Sequence, residues 1–193
     1  MAAVQLIVGL GNPGAEYEET RHNAGFRFVA ALCETYGAVL EPEARFKGHV
    51  GRCRIGSHEV FVLMPATFMN RSGESVGAFA RFYKVAPEAV LVAHDELDLP
   101  LGTVRLKQGG GTGGHNGLAS IEQCLGSRAF ARLRLGIGRP PAGRDVIGYV
   151  LGRATRMELQ ELDEAIARVR TEMPELVAGE WQRVMGRLHT SGV

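Results

Sequence analysis

The sequence predicts an α/β fold: one domain on a mixed, twisted β-sheet with helices on both faces. Three observations carry this. Strand-length apolar runs alternate with segments of helical period, the pattern of a sheet sandwiched between helices. Two of the runs face each other across Gly56-Ser57-His58, which makes an antiparallel pair and so a mixed rather than purely parallel sheet. The 193 residues suffice for one substantial core and are short for two, and no repeat, low-complexity tract or linker divides them. Residues 1–193 therefore read as one domain.

Val4–Leu10 is an apolar run of strand length. Asn23–Tyr36 follows as a helix, with Phe26, Val29, Ala30 and Cys33 at helical spacing and Gly37 as its stop. His49–Ile55 and Val60–Met64 form the strand pair. Gly73–Tyr83 reads as a helix through Val76, Phe79, Ala80 and Tyr83, and Ala89–Ala93 as a short buried strand. Thr103–Lys107 and Arg132–Ile137 alternate as half-exposed strands do, with a helix over Gly117–Leu125 between them. Thr155-Arg-Met-Glu158 is a capping box that starts a long tail helix. Its apolar positions, from Leu162 through Trp181 to Leu188, fit packing onto the sheet, and Pro174 is expected to kink or split it.

Composition excludes several classes. Hydrophobic residues at 45% and charged residues at 22% are globular values and argue against disorder. The N-terminus has no basic stretch before its short apolar run, so it does not read as a signal peptide. No apolar run approaches the ~20 residues of a membrane span, so no membrane is expected as a partner. Cys33, Cys53 and Cys124 are odd in number and never spaced as Cys-x-x-Cys, and read as reduced, mostly buried thiols of a cytoplasmic protein. The net charge of +1 hides an asymmetry. From Leu101 to Arg156 there are 9 Lys/Arg against Glu122 and Asp145, so this segment is +7 and the remainder −6. A basic segment in a neutral protein fits a nucleic acid touching one face, and equally a solvated face that balances an acidic one.

Two motifs are weak matches. Gly9-Leu-Gly-Asn-Pro-Gly14 follows a strand as a dinucleotide fingerprint does, but Pro13 and the polar stretch Ala15–Arg21 delay the helix that fingerprint needs. Gly73-Glu-Ser-Val-Gly77 has the spacing of a serine-hydrolase nucleophile elbow. Eight residues separate it from the preceding strand, and Ser75 falls in the first turn of a helix, with Asn70 or Ser72 near the cap.

The polar residues that stand out share a location. Asn12 follows the first strand, Asn70 follows Val60–Met64 by a short loop, and Asp95 follows Ala89–Ala93 at once. Open α/β sheets bind ligands at the carboxyl ends of their strands, so these groups point to one crevice. His22 sits near the loop that carries Asn12, and a histidine with a carboxylate partner is the usual way to activate water; Asp95 is the candidate partner. The acids around Asp95 leave magnesium open, whereas no His/Glu pair has the spacing of a catalytic zinc helix. Gln108–Gly117 holds six glycines in ten residues, as a mobile gate or a closely approached backbone would. It ends at Asn116, which reads as the N-cap of the next helix and as a substrate-binding amide.

Taken in order, six segments resemble the bacterial peptidyl-tRNA hydrolase family. They are Val8–Tyr17, Thr20-Arg-His-Asn-Ala-Gly25, Thr67-Phe-Met-Asn70 with Ser72-Gly73, Val92-Ala-His-Asp-Glu-Leu-Asp98, Gly109–Leu118 and Arg132-Leu-Arg-Leu-Gly-Ile-Gly138. Each is modest alone, jointly they are specific, and they cover most of residues 4–152. The family's loop often has a larger or charged residue where this chain has Thr112. The resemblance implies a cytoplasmic monomer that needs no cofactor or metal and hydrolyses the ester between peptide and tRNA, recycling the tRNA. His22 matches the family's catalytic histidine and Asp95 its orienting aspartate. Asn12 matches the residue held to tell a blocked peptidyl ester from a free aminoacyl ester. Tyr17, Phe68, Asn70 and Asn116 match substrate-contacting positions, and Lys107 and Arg134 a basic pair holding a tRNA phosphate. A non-catalytic RNA-binding module is the competing reading. It lacks the aromatic stacking motif of common single-strand binders and leaves His22 and Asp95 without a role.

Overall fold

The computed structural model describes residues 2–190. The chain runs β1 (Leu6–Gly9), α1 (Ala24–Tyr36), β2 (Glu41–Glu43), β3 (Gly48–Ile55), β4 (His58–Pro65), α2 (Ser72–Tyr83), β5 (Val90–Glu96), β6 (Val104–Gln108), α3 (Asn116–Leu125), β7 (Ala131–Gly136), α4 (Val146–Val150), α5 (Arg156–Val177) and α6 (Trp181–Thr190). The strands form one sheet in the order β2-β3-β4-β1-β5-β7-β6. β4, β1, β5 and β7 are mutually parallel, and antiparallel strands close both edges, so the sheet is mixed as expected. The short β2 was not legible in advance: Pro42 interrupts it, which only an edge strand tolerates.

Alternation along the central strands sends side chains to two cores. Ile7, Leu91, Leu133 and Leu135 face α1, α5 and α6 and pack with Phe28, Leu32, Val169 and Trp181. Leu6, Val8, Val90 and Val92 face α2 and α3 and pack with Val76, Phe79, Leu118 and Ile121. Helices therefore cover both faces. Gly9 and Gly25 allow α1 to sit against the sheet: a Cβ at Gly9 would lie 2.4 Å from Gly25 O, and one at Gly25 would lie 2.3 Å from Ala93 O. The Gly9–Gly14 glycines thus serve packing and a loop, and the helix starts only at Ala24, which disposes of the dinucleotide reading.

The capping box forms as predicted, with Thr155 Oγ1 accepting from Glu158 N–H and Glu158 Oε1 accepting from Thr155 N–H, both at 3.1 Å. Pro174 does not split the tail where expected. α5 carries it inside its last turn, ends at Val177, and α6 begins at Trp181. The reason is local: a proline frees the carbonyl four residues before it, and the Tyr36 hydroxyl reaches that Arg170 carbonyl at 3.4 Å. Gly179, at φ 91°, makes the actual break. All three cysteines are free, but only Cys53 is buried, while Cys33 and Cys124 are half-buried rather than enclosed.

Candidate active site

The carboxyl ends of β1, β4 and β5 converge on one crevice. The loop after β1 brings Asn12. Thr20–Asn23 packs beneath it as a tight turn that feeds α1, with His22 buried. β5 runs longer than the sequence suggested, because β7 pairs with it through Asp95↔Leu135 and Glu96↔Gly136. Asp95 thus lies inside the strand rather than after it, 3% exposed.

Asp95 is clasped from two sides. Its Oδ2 lies 2.8 Å from His22 Nδ1, and its Oδ1 lies 2.7 Å from His115 Nε2. The tautomer of His115 follows from its other nitrogen. His115 caps α3, and its Nδ1 accepts from the N–H groups of Gly117 and Leu118. A nitrogen that accepts carries no proton, so the proton is on Nε2 and is donated to Asp95. The same carboxylate accepts from His22 Nδ1–H, which leaves the His22 Nε2 lone pair without a partner among the described residues. His22 lines a cavity of about 110 Å³ with Asp95, His115, Asn116 and Ile147.

Burial alone would raise the Asp95 pKa. The interactions with His115, then those with His22, outweigh it and hold the carboxyl well below the usual carboxylate range. A third ring, His94, stands 5.0 Å from His115. Its Nδ1–H donates to the Asp95 carbonyl at 2.8 Å, and its Nε2 is buried and unpartnered. Burial pushes His94 down to about 3, with the neighbouring His115 adding to the shift. His22, Asp95 and His115 offer ligand-type atoms within 4.8 Å of one another. The hydrogen bonds of His115 leave it no lone pair for a cation in this arrangement, so the trio fits an oriented histidine base better than a metal centre.

Asn12 is locked in place. Its backbone N–H donates to Asn23 Oδ1 at 2.8 Å, and its carbonyl accepts from Asn23 Nδ2 at 3.0 Å. Its side-chain Oδ1 accepts from Met69 N–H at 2.7 Å, which orients the amide and leaves the two Nδ2 protons unused. Beside it, the Tyr17 and Phe68 rings meet edge-on at 6.5 Å, and Phe68 is 57% exposed. A second cleft of about 350 Å³ opens between Asn12, Asn23, Phe26 and Met64.

The remaining residues singled out in the sequence lie around this crevice and along the β6–β7 edge. Asn70 is exposed and makes no hydrogen bond among the described residues; Met69 beside it supplies the contact to Asn12. Asn116 lines the cavity, but it is the first residue of α3 and not its cap. His115 takes the cap because an imidazole with a bare Nδ1 accepts the orphan amides as an asparagine oxygen would. Arg71 stands at the start of α2, with no side-chain cap from Asn70 or Ser72. Ser75 is buried in α2 with no partner for its hydroxyl, so no base can activate it. Lys107 and Arg134 share a face of the β6–β7 edge with Arg105 and Arg132, since Arg105↔Arg134 and Lys107↔Arg132 are opposite pairs. Lys107 is exposed, whereas Arg134 gives its Nε–H to Glu96 at 2.8 Å.

Sequence reasoning missed His115, Asn23 and Arg21. All three lie inside segments it had singled out, but their neighbours looked more chemical. Arg21 donates Nε–H and Nη2–H to Glu158 at 2.7 and 2.9 Å, which ties the His22 turn to the start of α5.

Known proteins resemble this chain along nearly its whole length. The family model for peptidyl-tRNA hydrolase matches residues 6–193. The chain is 53% identical over 191 residues to a protein named peptidyl-tRNA hydrolase from Pseudomonas aeruginosa, covering 98% of each. It is 51% identical over 185 residues to another from Halorhodospira halophila, covering 96% of this chain and 95% of that one. The crystal structure of peptidyl-tRNA hydrolase from Acinetobacter baumannii superposes with a TM-score of 0.94 at 48% identity, covering 98% of this chain and 96% of that one.

Proposed function

Because the chain belongs to the peptidyl-tRNA hydrolase family, we propose that it hydrolyses the ester between a peptide and the 3′-terminal ribose of tRNA, with His22 as general base. The observation that carries this mechanism is the clasp on Asp95. Its hydrogen bond to His22 Nδ1–H leaves the Nε2 lone pair as the one available proton acceptor on that ring.

A water held at Nε2 gives up its proton as its oxygen attacks the ester carbonyl carbon. Ionised Asp95 favours the imidazolium that forms, and His115 keeps Asp95 oriented. The unused Nδ2 protons of Asn12 can donate to the carbonyl oxygen as it gains charge, or to the first peptide carbonyl. The tetrahedral intermediate then collapses, and the imidazolium returns its proton to the departing ribose oxygen. The products are a free peptide and a tRNA that can be recharged. Tyr17, Phe68 and Asn116 flank the path of the peptide or the tRNA end, and the β6–β7 face takes the tRNA body.

The crevice is complete within residues 12–150, as expected of an enzyme that acts as a monomer through a single domain. Among the described residues no helix is long and apolar enough to cross a membrane. Free cysteines, with burial pushing Cys33 up to about 11, fit a reducing cytoplasm.

The test is release of tRNA from N-blocked aminoacyl-tRNA. His22→Ala is expected to lower turnover by ~10²–10⁴-fold with the fold intact. Near-normal turnover in that variant removes His22 from the mechanism, and loss of turnover in Ser75→Ala would restore the serine reading.

A further inference from the structure

The glycine-rich segment between β6 and α3 is tied down at one point. Gly110, Gly111, Gly113 and Gly114 are exposed, and Gly109, Gly110, Gly113 and Gly114 all take positive φ, up to 99° at Gly110. Such a backbone has little stiffness of its own. Thr112 O accepts from His115 N–H at 3.0 Å, but that bond closes a turn within the segment. Among the described residues, the one hydrogen bond that joins residues 110–114 to another element comes from Arg132 on β7, whose Nη2–H donates to Gly110 O at 2.8 Å. Arg132 is suited to hold it. The side chain is 1% exposed, its guanidinium lies 4.3 Å from the centre of the Phe130 ring, and no carboxylate pairs with it among the described residues. Packing therefore fixes the arm, and a charged donor holds a carbonyl more firmly than a neutral one.

The far end of the same segment bears on the catalytic cluster. His115 follows Gly114 directly, gives Nε2–H to Asp95 Oδ1 at 2.7 Å, and has the His94 ring 5.0 Å away. Val92 is the partner of Arg132 across β5 and β7, and His94 lies two positions further along β5. Strand alternation therefore puts Arg132 and His94 on one face of the sheet. The segment spans two buried supports on that face, Arg132 under Gly110 and His94 beside His115.

We infer that Arg132 is a positioning residue for the reaction: by holding the Gly110 carbonyl it takes up the slack of the glycine-rich segment and keeps His115 on Asp95. The inference rests on the functional reading above and deepens it, because Arg132 acts on the base only through the loop, His115 and Asp95. Burial raises the Asp95 carboxyl, and His115 is the first of the groups that offset this. A segment let go at Gly110 would loosen that partner, and the carboxyl would titrate higher.

The experiment uses the full chain, saturating N-blocked aminoacyl-tRNA, and amide hydrogen exchange on the free protein. Arg132→Met fills the space beside Phe130 but has neither donor nor charge, and replacing a buried unpaired charge by an apolar side chain leaves the fold intact. Its kcat is expected to fall roughly ten- to a hundredfold through misplacement of the cluster. Its kcat–pH profile should gain an acid inflection above about pH 4, where ionised Asp95 gives the wild type none. The amides of His115, Gly117 and Leu118, which donate to Thr112 O and His115 Nδ1, should lose protection while those of β5 and α1 keep theirs. Arg132→Lys retains a charged donor near Gly110 O and should restore most of the kcat and the protection. Arg132→Gln, neutral and too short to reach Gly110 O, carries the same expectations as Arg132→Met should the latter fold poorly. Wild-type kcat in the folded neutral variant overturns the inference. So does a lowered kcat with wild-type exchange and no added inflection, since Arg132 would then act by another route than the loop. Lost protection with kcat intact shows a loop that is held without positioning anything, and overturns it as well. An Arg132→Lys enzyme as impaired as Arg132→Met removes the carbonyl contact as the cause. If the wild type releases no tRNA, the functional reading falls, and the exchange rates alone still decide whether Arg132 holds the loop.

Discussion

Arg21 and Glu158, 137 positions apart in sequence, meet in a two-point ion pair with N–O distances of 2.7 and 2.9 Å. The same Glu158 carboxylate closes the capping box of α5. Arg21 also gives Nη1–H to the Tyr149 carbonyl at 3.0 Å and stacks over that ring. The residue next to His22 is thus bolted to the start of α5, which makes Arg21 a positioning residue for the base. Glu158→Gln should cost about 1.5–3 kcal/mol of stability, the range for a charged hydrogen bond. It should also lower kcat by about 10-fold or more through misplacement of the ring, with KM little changed. Thermal unfolding and steady-state kinetics separate the two effects. A destabilised variant with wild-type kcat would leave the pair a purely structural role.

Asp95→Asn tests the tautomer argument. The asparagine amide would donate to His22 Nδ1, which forces the ring proton onto Nε2 and removes the base. A kcat loss of ~10²–10⁴-fold is expected, comparable to that of His22→Ala. Because Asp95 titrates below the usual carboxylate range, its own protonation should leave no inflection in the wild-type pH–rate profile above about pH 4. A folded Asp95→Asn enzyme with near-normal turnover refutes the clasp as a catalytic device.

Asn12 presents two N–H donors because Met69 N–H holds its oxygen. Asn12→Asp replaces those donors with a second acceptor oxygen. The preference for N-blocked over free aminoacyl-tRNA should shrink, since the variant can no longer donate to the first peptide carbonyl. The ratio of kcat/KM for the two substrates measures this. An unchanged ratio would locate discrimination elsewhere in the crevice.

His94 predicts a pH dependence of stability. Its folded pKa is pushed down to about 3 from an ordinary value of 6.5. Between those values the unfolded chain binds a proton that the native protein does not, so stability falls as pH drops through that window. One group contributes at most about 1.4 kcal/mol per pH unit. Asp95 acts oppositely to an unsatisfied acid: its depressed pKa stabilises the fold above the unfolded value, and that contribution is lost only in stronger acid. Urea unfolding from pH 7 to 4 should therefore show a shallower loss in His94→Gln than in the wild type. Parallel curves would mean that His94 is protonated in the native state.

By itself, the sequence determined the mixed α/β sandwich, because alternation of period 2 and period 3.6 is a local property of the chain. It determined the Thr155–Glu158 box for the same reason, and it placed Asn12 and Asp95 at strand ends through the order of the elements. It did not mark where β5 ends, because His94, Asp95 and Glu96 look like loop residues until β7 pairs with them. Only the tertiary structure decided the protonation of the site. The tautomer of His22 depends on Asp95, 73 positions away, and the orientation of Asp95 depends on His115, 20 positions further on. No local pattern encodes which ring nitrogen carries a proton, since that is set by the partners of both nitrogens in space. The same holds for Arg132: in sequence it is one more basic residue of a strand, and only the structure shows it buried against the Phe130 ring and the Gly110 carbonyl, with no carboxylate paired to it among the described residues.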